Sequence, residues 1–176
     1  FPVYYGDMPY ILREAVGRVN FSGSPYIFCV PTYRGHQGAA AQRLNQLLRS
    51  HGQKLSLSWG VPMPGNSRLS SPEETAQMLS LQPERVREAA KHISAMEVSD
   101  YDSPEPLEPT MVDKPGNFRG IKADENCTGC GLCVNVCPMD NISLQDGHAQ
   151  MGDNCITCLS CFHWCPVEAI YMSLDE

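Results

Sequence analysis

The sequence lacks the features of a membrane or nucleic-acid-binding protein. No run reaches 18 apolar residues, which excludes a membrane-spanning helix, and no secretory signal is visible. Basic residues are scarce in the C-terminal third of the chain: residues 117–176 contain two Lys or Arg and eight Asp or Glu. Phosphate binding depends on Lys and Arg, so this balance argues against nucleic acid and favours redox protein partners with a basic docking surface.

Common catalytic signatures are also missing. The sequence has no P-loop and no nucleophile–base pair, and the glycines near 35 and 38 do not have the spacing of a dinucleotide-binding loop. The chain begins at Phe1 rather than Met, within a stretch that favours a strand. We therefore expect it to be a fragment or a processed form.

Residues 1–98 alternate short apolar runs with helical patterns. The predicted elements are a helix over 8–19, a strand over 26–30, a helix over 38–50, a strand over 55–59, and a helix from Ser71 to about Met96 with a break near Pro83. Alternating strands and helices predict a parallel sheet with helical crossovers. Residues 99–116 combine four prolines with acidic residues and predict an extended linker.

The cysteines carry the strongest signal. Eight of the nine lie within residues 127–165, in two runs of identical spacing, each ending in Cys-Pro. The runs are Cys127, Cys130, Cys133 and Cys137, and then Cys155, Cys158, Cys161 and Cys165. The second repeats the first 28 residues later, which indicates duplication of a structural unit. This spacing is typical of two [4Fe–4S] clusters in which the fourth cysteine of each run ligates the other cluster.

We therefore predict two crossed ligand sets. One cluster is assigned to Cys127, Cys130, Cys133 and Cys165, and the other to Cys137, Cys155, Cys158 and Cys161. The alternatives are a zinc site, which ordinarily uses paired Cys-x2-Cys ligands, and a disulfide framework, and both fit the two runs less well. Thiolate ligands require a reducing compartment, so we expect a cytoplasmic protein of an anaerobe.

Residues 117–171 resemble a bacterial-type ferredoxin with two [4Fe–4S] clusters. The resemblance implies a small α+β module with two short β-hairpins and two short helices. Asp146-Gly147 fits the turn of one hairpin, between residues 142–145 and 148–151.

The first zone resembles part of a flavodoxin. Residues 1–9, with Tyr4, Tyr5 and Gly6, match the loop after that family's third strand. Residues 31–38, with Pro31, Thr32, Tyr33 and Gly35, match the loop after its fourth. In flavodoxins these loops flank the flavin ring, although the tyrosines could equally be ordinary loop aromatics. Together with the Cys-Phe-His-Trp-Cys-Pro stretch at 161–166, the chain resembles the flavodoxin–ferredoxin fusion family of anaerobes.

Two flavodoxin features are missing from this sequence: the first strand, and the Ser/Thr-rich loop after it that wraps the FMN phosphate. The expected fold is therefore an incomplete α/β flavodoxin-like parallel sheet, lacking its first strands, followed by an α+β two-cluster ferredoxin-like module. We expect the full-length protein to bind FMN and this chain to bind it poorly.

Three further residues carry predictions of their own. Cys29 lies within a predicted strand and is expected to be a buried small apolar residue. His163 and Trp164, next to Cys165, either cover a cluster or simply pack within the module.

The leading functional hypothesis is a single-electron carrier. The alternatives are an electron-relay subunit of a larger oxidoreductase and a module in which the clusters have only a structural role. Whether the chain is also an enzyme is left open, and if it is one we expect an oxidoreductase.

Overall fold

The computed structural model describes residues 1–65 and 70–173, and the chain divides into two compact units, Phe1–Thr110 and Met111–Glu176. The helices are α1 (Tyr10–Gly17), α2 (Ala40–Ser50), α3 (Pro72–Ser80), α4 (Gln82–Ser94), α5 (Leu132–Val136) and α6 (Ser160–Trp164). The strands are β1 (Phe28–Cys29), β2 (Thr32–Tyr33), β3 (Leu57–Ser58), β4 (Val61–Pro62), β5 (Ile121–Ala123), β6 (Ile142–Gln145), β7 (His148–Met151) and β8 (Ile170–Met172). None of the helices in the described part of the chain is long and apolar enough to cross a membrane.

The strands of the first unit pair in parallel. β1 pairs with β3 and β2 with β4, and Pro2 forms a further parallel bridge with Thr32. Helix α2 follows β2 and precedes β3, so it forms the crossover that parallel strands require. The predicted parallel pairing is confirmed, but each sheet has two short strands, and a flavodoxin-like sheet is not confirmed.

The core of the first unit forms between α2 and the strands. Leu44 and Leu48 lie one helical turn apart on α2 and pack with Met8, Leu55 and Cys29. Cys29 is buried, which confirms its predicted role as a small apolar residue.

Two helices follow the second strand pair. Ser71 caps α3 with the predicted capping box, because its side chain accepts from the Glu74 N–H and the Glu74 carboxylate accepts from the Ser71 N–H. The helices are separated at Leu81, two residues before Pro83. A proline in the first turn of α4 removes no helical hydrogen bond, which explains why the break precedes it.

Residues 99–110 make contacts with the rest of the first unit. The Ser58 N–H donates to the Tyr101 hydroxyl oxygen at 2.6 Å, and Arg49 donates to the Asp102 carboxylate at 2.7 Å. This segment is the first part of the predicted linker, whose limits stay a prediction.

The second unit contains two short antiparallel sheets and the helices α5 and α6. β6 and β7 form the predicted hairpin, in which Asp146 and Gly147 both have positive φ angles, of 50° and 76°. The expectation of a second hairpin is wrong, because the other sheet pairs β5 with β8, the first and last strands of the described part of this unit. The core residues include Phe118, Ile121, Ile142, Ala149 and Ile170.

Candidate metal centre

Each cysteine run is a loop that leads into a single helical turn. Cys133 lies on α5 and Cys161 on α6. The residue before each helix has a left-handed backbone, Gly131 with φ 77° and Leu159 with φ 61°. The duplication seen in the sequence is therefore repeated in the backbone.

Two more pairs of residues with left-handed backbones are separated by the same 28 residues as the two cysteine runs. Gly129 and Thr157 have φ angles of 65° and 57°, and Asp140 and Glu168 have φ angles of 49° and 52°. A left-handed conformation costs a residue with a side chain on the order of 1 kcal/mol. The second run adopts it with Thr and Leu where the first uses Gly, so the loop geometry is set by the surrounding fold rather than by glycine alone.

The eight cysteines surround two separate cavities. The first cavity is lined by Cys127, Cys130, Cys133 and Cys165. The second is lined by Cys137, Cys155, Cys158 and Cys161. Each cavity thus receives three cysteines from one run and the fourth from the other run.

Backbone amides donate to several of the sulfur atoms. The Asn141 N–H lies 3.4 Å from the Cys137 sulfur, and the Ala169 N–H, at the equivalent position of the second run, lies 3.2 Å from the Cys165 sulfur. Similar contacts join Ala149 to Cys127 and Thr157 to Cys155. Such N–H donors stabilise thiolates and help to set the reduction potential of a cluster.

Burial makes some of these thiols poor acids without a metal. Burial raises the pKa of Cys161 to about 12, with smaller contributions from the neighbouring Cys158 and Cys155. Burial likewise raises the pKa of Cys133. A bound cation is therefore needed to hold these side chains as thiolates at neutral pH.

The described residues suit a cluster better than a single ion. Within residues 1–65 and 70–173, no three His, Cys, Asp or Glu side chains converge as one metal ion would require. A [4Fe–4S] cluster instead binds four thiolates through four different irons, so its ligands surround a volume rather than a point. The donor set, four cysteines around each cavity, fits this group.

The structure also places the predicted flavin-loop residues. Tyr4 to Asp7 form a tight turn, and the Gly6 carbonyl accepts from the Ala39 N–H at 2.9 Å. A Cβ on Gly38 would lie 2.3 Å from the Gly6 oxygen, so the two loops touch through glycine backbones. The other predicted flavin-loop residues differ in exposure. Pro31 is fully buried, whereas Tyr5 and Gly35 are exposed. Thr32 and Tyr33 form β2.

Some contributors to the site could not be found from the sequence. Asn141 and Ala169 act through their backbone N–H groups, which leave no signal in residue type. Trp164 was expected to cover a cluster or to pack within the module, yet its side chain is 63% exposed. Its position next to Cys165 was the only signal in the sequence.

Comparison with known proteins agrees with this geometry. Residues 126–170 match the family described as the 4Fe-4S dicluster domain, and they form a ferredoxin-like iron–sulfur domain suited to electron transfer. Within that class, 43 residues are 49% identical to formate hydrogenlyase subunit 6 of Escherichia coli (strain K12). The match covers 23% of this chain and 22% of that protein, so the chain matches about a fifth of its relative. The predicted iron–sulfur module is confirmed, whereas neither comparison supports a flavodoxin fusion or FMN.

Proposed function

We propose that this chain carries two [4Fe–4S] clusters and transfers single electrons between redox proteins. The observation that supports it is the lining of two cavities by one complete set of four cysteines each. When bound, the clusters supply reversible one-electron chemistry. The chain supplies the thiolates, N–H donors to sulfur, and apolar walls that limit water.

Crossed ligation can be tested with paired substitutions. If Cys165 and Cys130 hold the same cluster, replacing both by Ala removes that cluster and leaves about four irons. If Cys165 and Cys158 hold different clusters, replacing both removes a ligand from each, and little iron remains. Iron and sulfide analysis of anaerobically purified protein distinguishes the two variants.

Uncrossed ligation would reverse the two results. The double variant Cys165→Ala and Cys158→Ala would then keep one cluster, and Cys165→Ala with Cys130→Ala would lose both. Cys29→Ala is the matched control, because Cys29 lies in the core of the first unit. It should retain the full iron content.

The alternative is an electron relay within a larger oxidoreductase. It is favoured by the relative's name, which describes a subunit of formate hydrogenlyase. Native size measurement of the protein in extracts of its host tests this alternative. A stable large complex supports the relay, and a freely exchanging small protein supports the carrier.

Flavin binding through the two predicted flavin loops is a separate proposal. It is supported by the contact between the two predicted flavin loops at Gly6 and Gly38. Because the sequence lacks the phosphate-binding loop, this chain should bind FMN weakly. Fluorescence titration with FMN measures it, and submicromolar binding by this chain would contradict the expectation.

The compartment and the partner follow from the same chemistry. Thiolates and clusters persist in a reducing environment, so we place the protein in the cytoplasm of an anaerobe. Its acidic second unit should bind partners with a basic surface.

A further inference from the structure

The duplication provides an internal comparison of the two cavities. Each position in the first run has an equivalent 28 residues later, so differences in exposure reflect the surroundings rather than the motif. Cys130 is exposed, whereas its equivalent Cys158 is half-buried. Thr128 is exposed, whereas its equivalent Ile156 is 5% exposed. The first cavity therefore lies closer to solvent.

Cys165 and Cys137 each line the cavity formed mainly by the other run. The residues beside Cys165, at the first cavity, are again more exposed than those beside Cys137. Trp164 and Val167 flank Cys165 and are 63% and 42% exposed. Their equivalents beside Cys137, Val136 and Met139, are half-buried and therefore less exposed.

The second cavity has additional cover from the start of the unit. Phe118 lines it and is 3% exposed, and Ile121 lines it as well. The first cavity is lined instead by Leu144 and Val167, both 42% exposed. The large apolar side chains Leu144 and Val167 at the first cavity are thus exposed, whereas Phe118 and Ile121 at the second cavity are buried.

Acidic residues accompany these apolar side chains. Asp146 follows Leu144 at the hairpin turn, and Glu168 follows Val167, and both are exposed. The sequence has no Lys or Arg after Lys122. Apolar surface next to exposed acids complements a partner that presents an apolar spot among Lys and Arg side chains.

We propose that Leu144, Trp164 and Val167, with Asp146 and Glu168, form the docking surface for a basic redox protein, and that electrons enter and leave at the first cavity. We call these five residues the docking surface. The inference rests on the proposed electron-transfer function and adds the residues of the module that the basic partner contacts and the cavity at which electrons cross. The second cavity is then the inner of the two sites.

The test uses the full chain with its clusters and a defined probe, cytochrome c, a basic haem protein. The dissociation constant is measured by surface plasmon resonance with both proteins oxidised, so it does not depend on turnover. Glu168→Gln should weaken binding about threefold, since a rim charge pair contributes modestly. Trp164→Ala should weaken it about tenfold, because exposed aromatic residues dominate many interfaces.

Matched variants at the second cavity provide the controls. Asp140 occupies the position equivalent to Glu168, with the same left-handed backbone and an exposed side chain. Asp140→Asn and Val136→Ala should leave the dissociation constant unchanged. Equal effects at the two cavities, or no effect of Trp164→Ala and Glu168→Gln, would overturn the proposal.

A rate measurement separates this proposal from the proposed function. Dithionite reduces the protein, and one electron then passes from it to ferric haem, giving ferrous haem. Duroquinone, a small uncharged oxidant that takes one electron to give the semiquinone, needs no protein interface and should oxidise all variants at the same rate. A protein that dithionite cannot reduce contradicts electron transfer itself, whereas normal oxidation by duroquinone with unaltered cytochrome c binding in every variant contradicts only the docking surface.

Discussion

Two glycines in the first cysteine run have similar backbones and different surroundings. Gly129 and Gly131 have φ angles of 65° and 77°. A Cβ on Gly129 would lie 2.3 Å from the Gly147 oxygen, whereas a Cβ on Gly131 would meet only the Leu144 side chain at 3.7 Å. The first glycine is required by a close backbone approach and the second only by its conformation.

This difference predicts unequal effects of alanine at the two positions. Gly131→Ala should lower the free energy of unfolding by about 1 kcal/mol, the typical cost of a left-handed alanine. Gly129→Ala should destabilise the protein further, because the hairpin turn must move away from the loop, and should reduce the iron content. Thermal unfolding and iron analysis of both variants measure this, and equal effects would show that the hairpin contact is unimportant.

At the residue scale, sequence reasoning found the groups with distinctive chemistry. The cysteine spacing predicted an iron–sulfur module, because that spacing follows from how a cluster binds thiolates, and the two crossed ligand sets stay a prediction. It could not predict the N–H donors of Asn141 and Ala169, since every residue except proline has one. Nor could it predict left-handed Thr157 and Leu159, where the fold overrides local preference.

Helix α3 begins with the capping box formed by Ser71 and Glu74. Ser71→Ala removes the acceptor for the Glu74 N–H and should lower the stability of the first unit by about 1 kcal/mol. The control is Ser80→Ala, because the Ser80 hydroxyl donates to the Gln77 carbonyl within the same helix and does not cap its start. Chemical denaturation followed by circular dichroism compares the two, and a larger loss for Ser80→Ala would contradict the capping role.

The segment over residues 99–110 is held partly by Asp102. Hydrogen bonds from Arg49 and Asn45 lower the pKa of Asp102 below its ordinary value of 3.8. Because the pKa is lowered in the folded state, the stabilisation is complete above that ordinary value and is lost as the pH falls through the folded pKa. The ion pair therefore stabilises the first unit at neutral pH.

Asp102→Asn should accordingly lower the thermal midpoint of the first unit at pH 7, and this effect should shrink as the pH falls below 3.8, the ordinary pKa of the carboxyl group. The measurement is thermal unfolding of both proteins across this range. The control is Asp100→Asn, since Asp100 accepts only a local hydrogen bond from the Asp102 N–H among the contacts described for its side chain. A difference that persists in acid would show that Asp102 acts through something other than its charge.

At the scale of elements, helices and the hairpin were predicted better than strands. The capping box and Asp146-Gly147 have local signals that do not depend on the rest of the chain. The strands are shorter than their apolar runs, because pairing depends on residues distant in sequence. The contacts of residues 99–110 were not predicted, since proline and acidic residues gave no sign that Arg49 and Ser58 would be partners.

The two units should respond differently to loss of iron. The second unit places eight cysteines around its cavities and has a small core, so cluster ligation and folding should be coupled. The first unit has its own core around Met8, Leu44 and Leu48. Chelation of iron from the full chain should abolish protection of the second unit in hydrogen exchange and leave protection of the first.

Retained protection of residues 117–173 in iron-free protein would contradict this coupling. The untreated protein, handled in parallel under anaerobic conditions, is the control. A loss of protection in both units would instead mean that the first unit depends on the second for its stability.

For the whole molecule, the sequence predicted the iron–sulfur chemistry of the cysteine-rich part, while the division into residues 1–98, a linker over 99–116 and a module over 117–176 stays a prediction. The cysteine runs identify the second unit because few arrangements of eight cysteines have this spacing. The first unit has only apolar periodicity and loop residues, which many α/β proteins share, so its flavodoxin resemblance stays a prediction. The exposed docking surface depends on how Phe118 and Ile156 cover one cavity, and the cysteine spacing that the two runs share does not reveal that asymmetry.

The central claim, two [4Fe–4S] clusters in one chain, is tested most directly by metal and sulfide analysis. The protein is purified anaerobically, and iron, acid-labile sulfide and zinc are measured per chain. We predict about eight irons and eight sulfides, with negligible zinc. About four of each would contradict the count of two clusters, and zinc in place of iron would contradict the iron–sulfur assignment altogether.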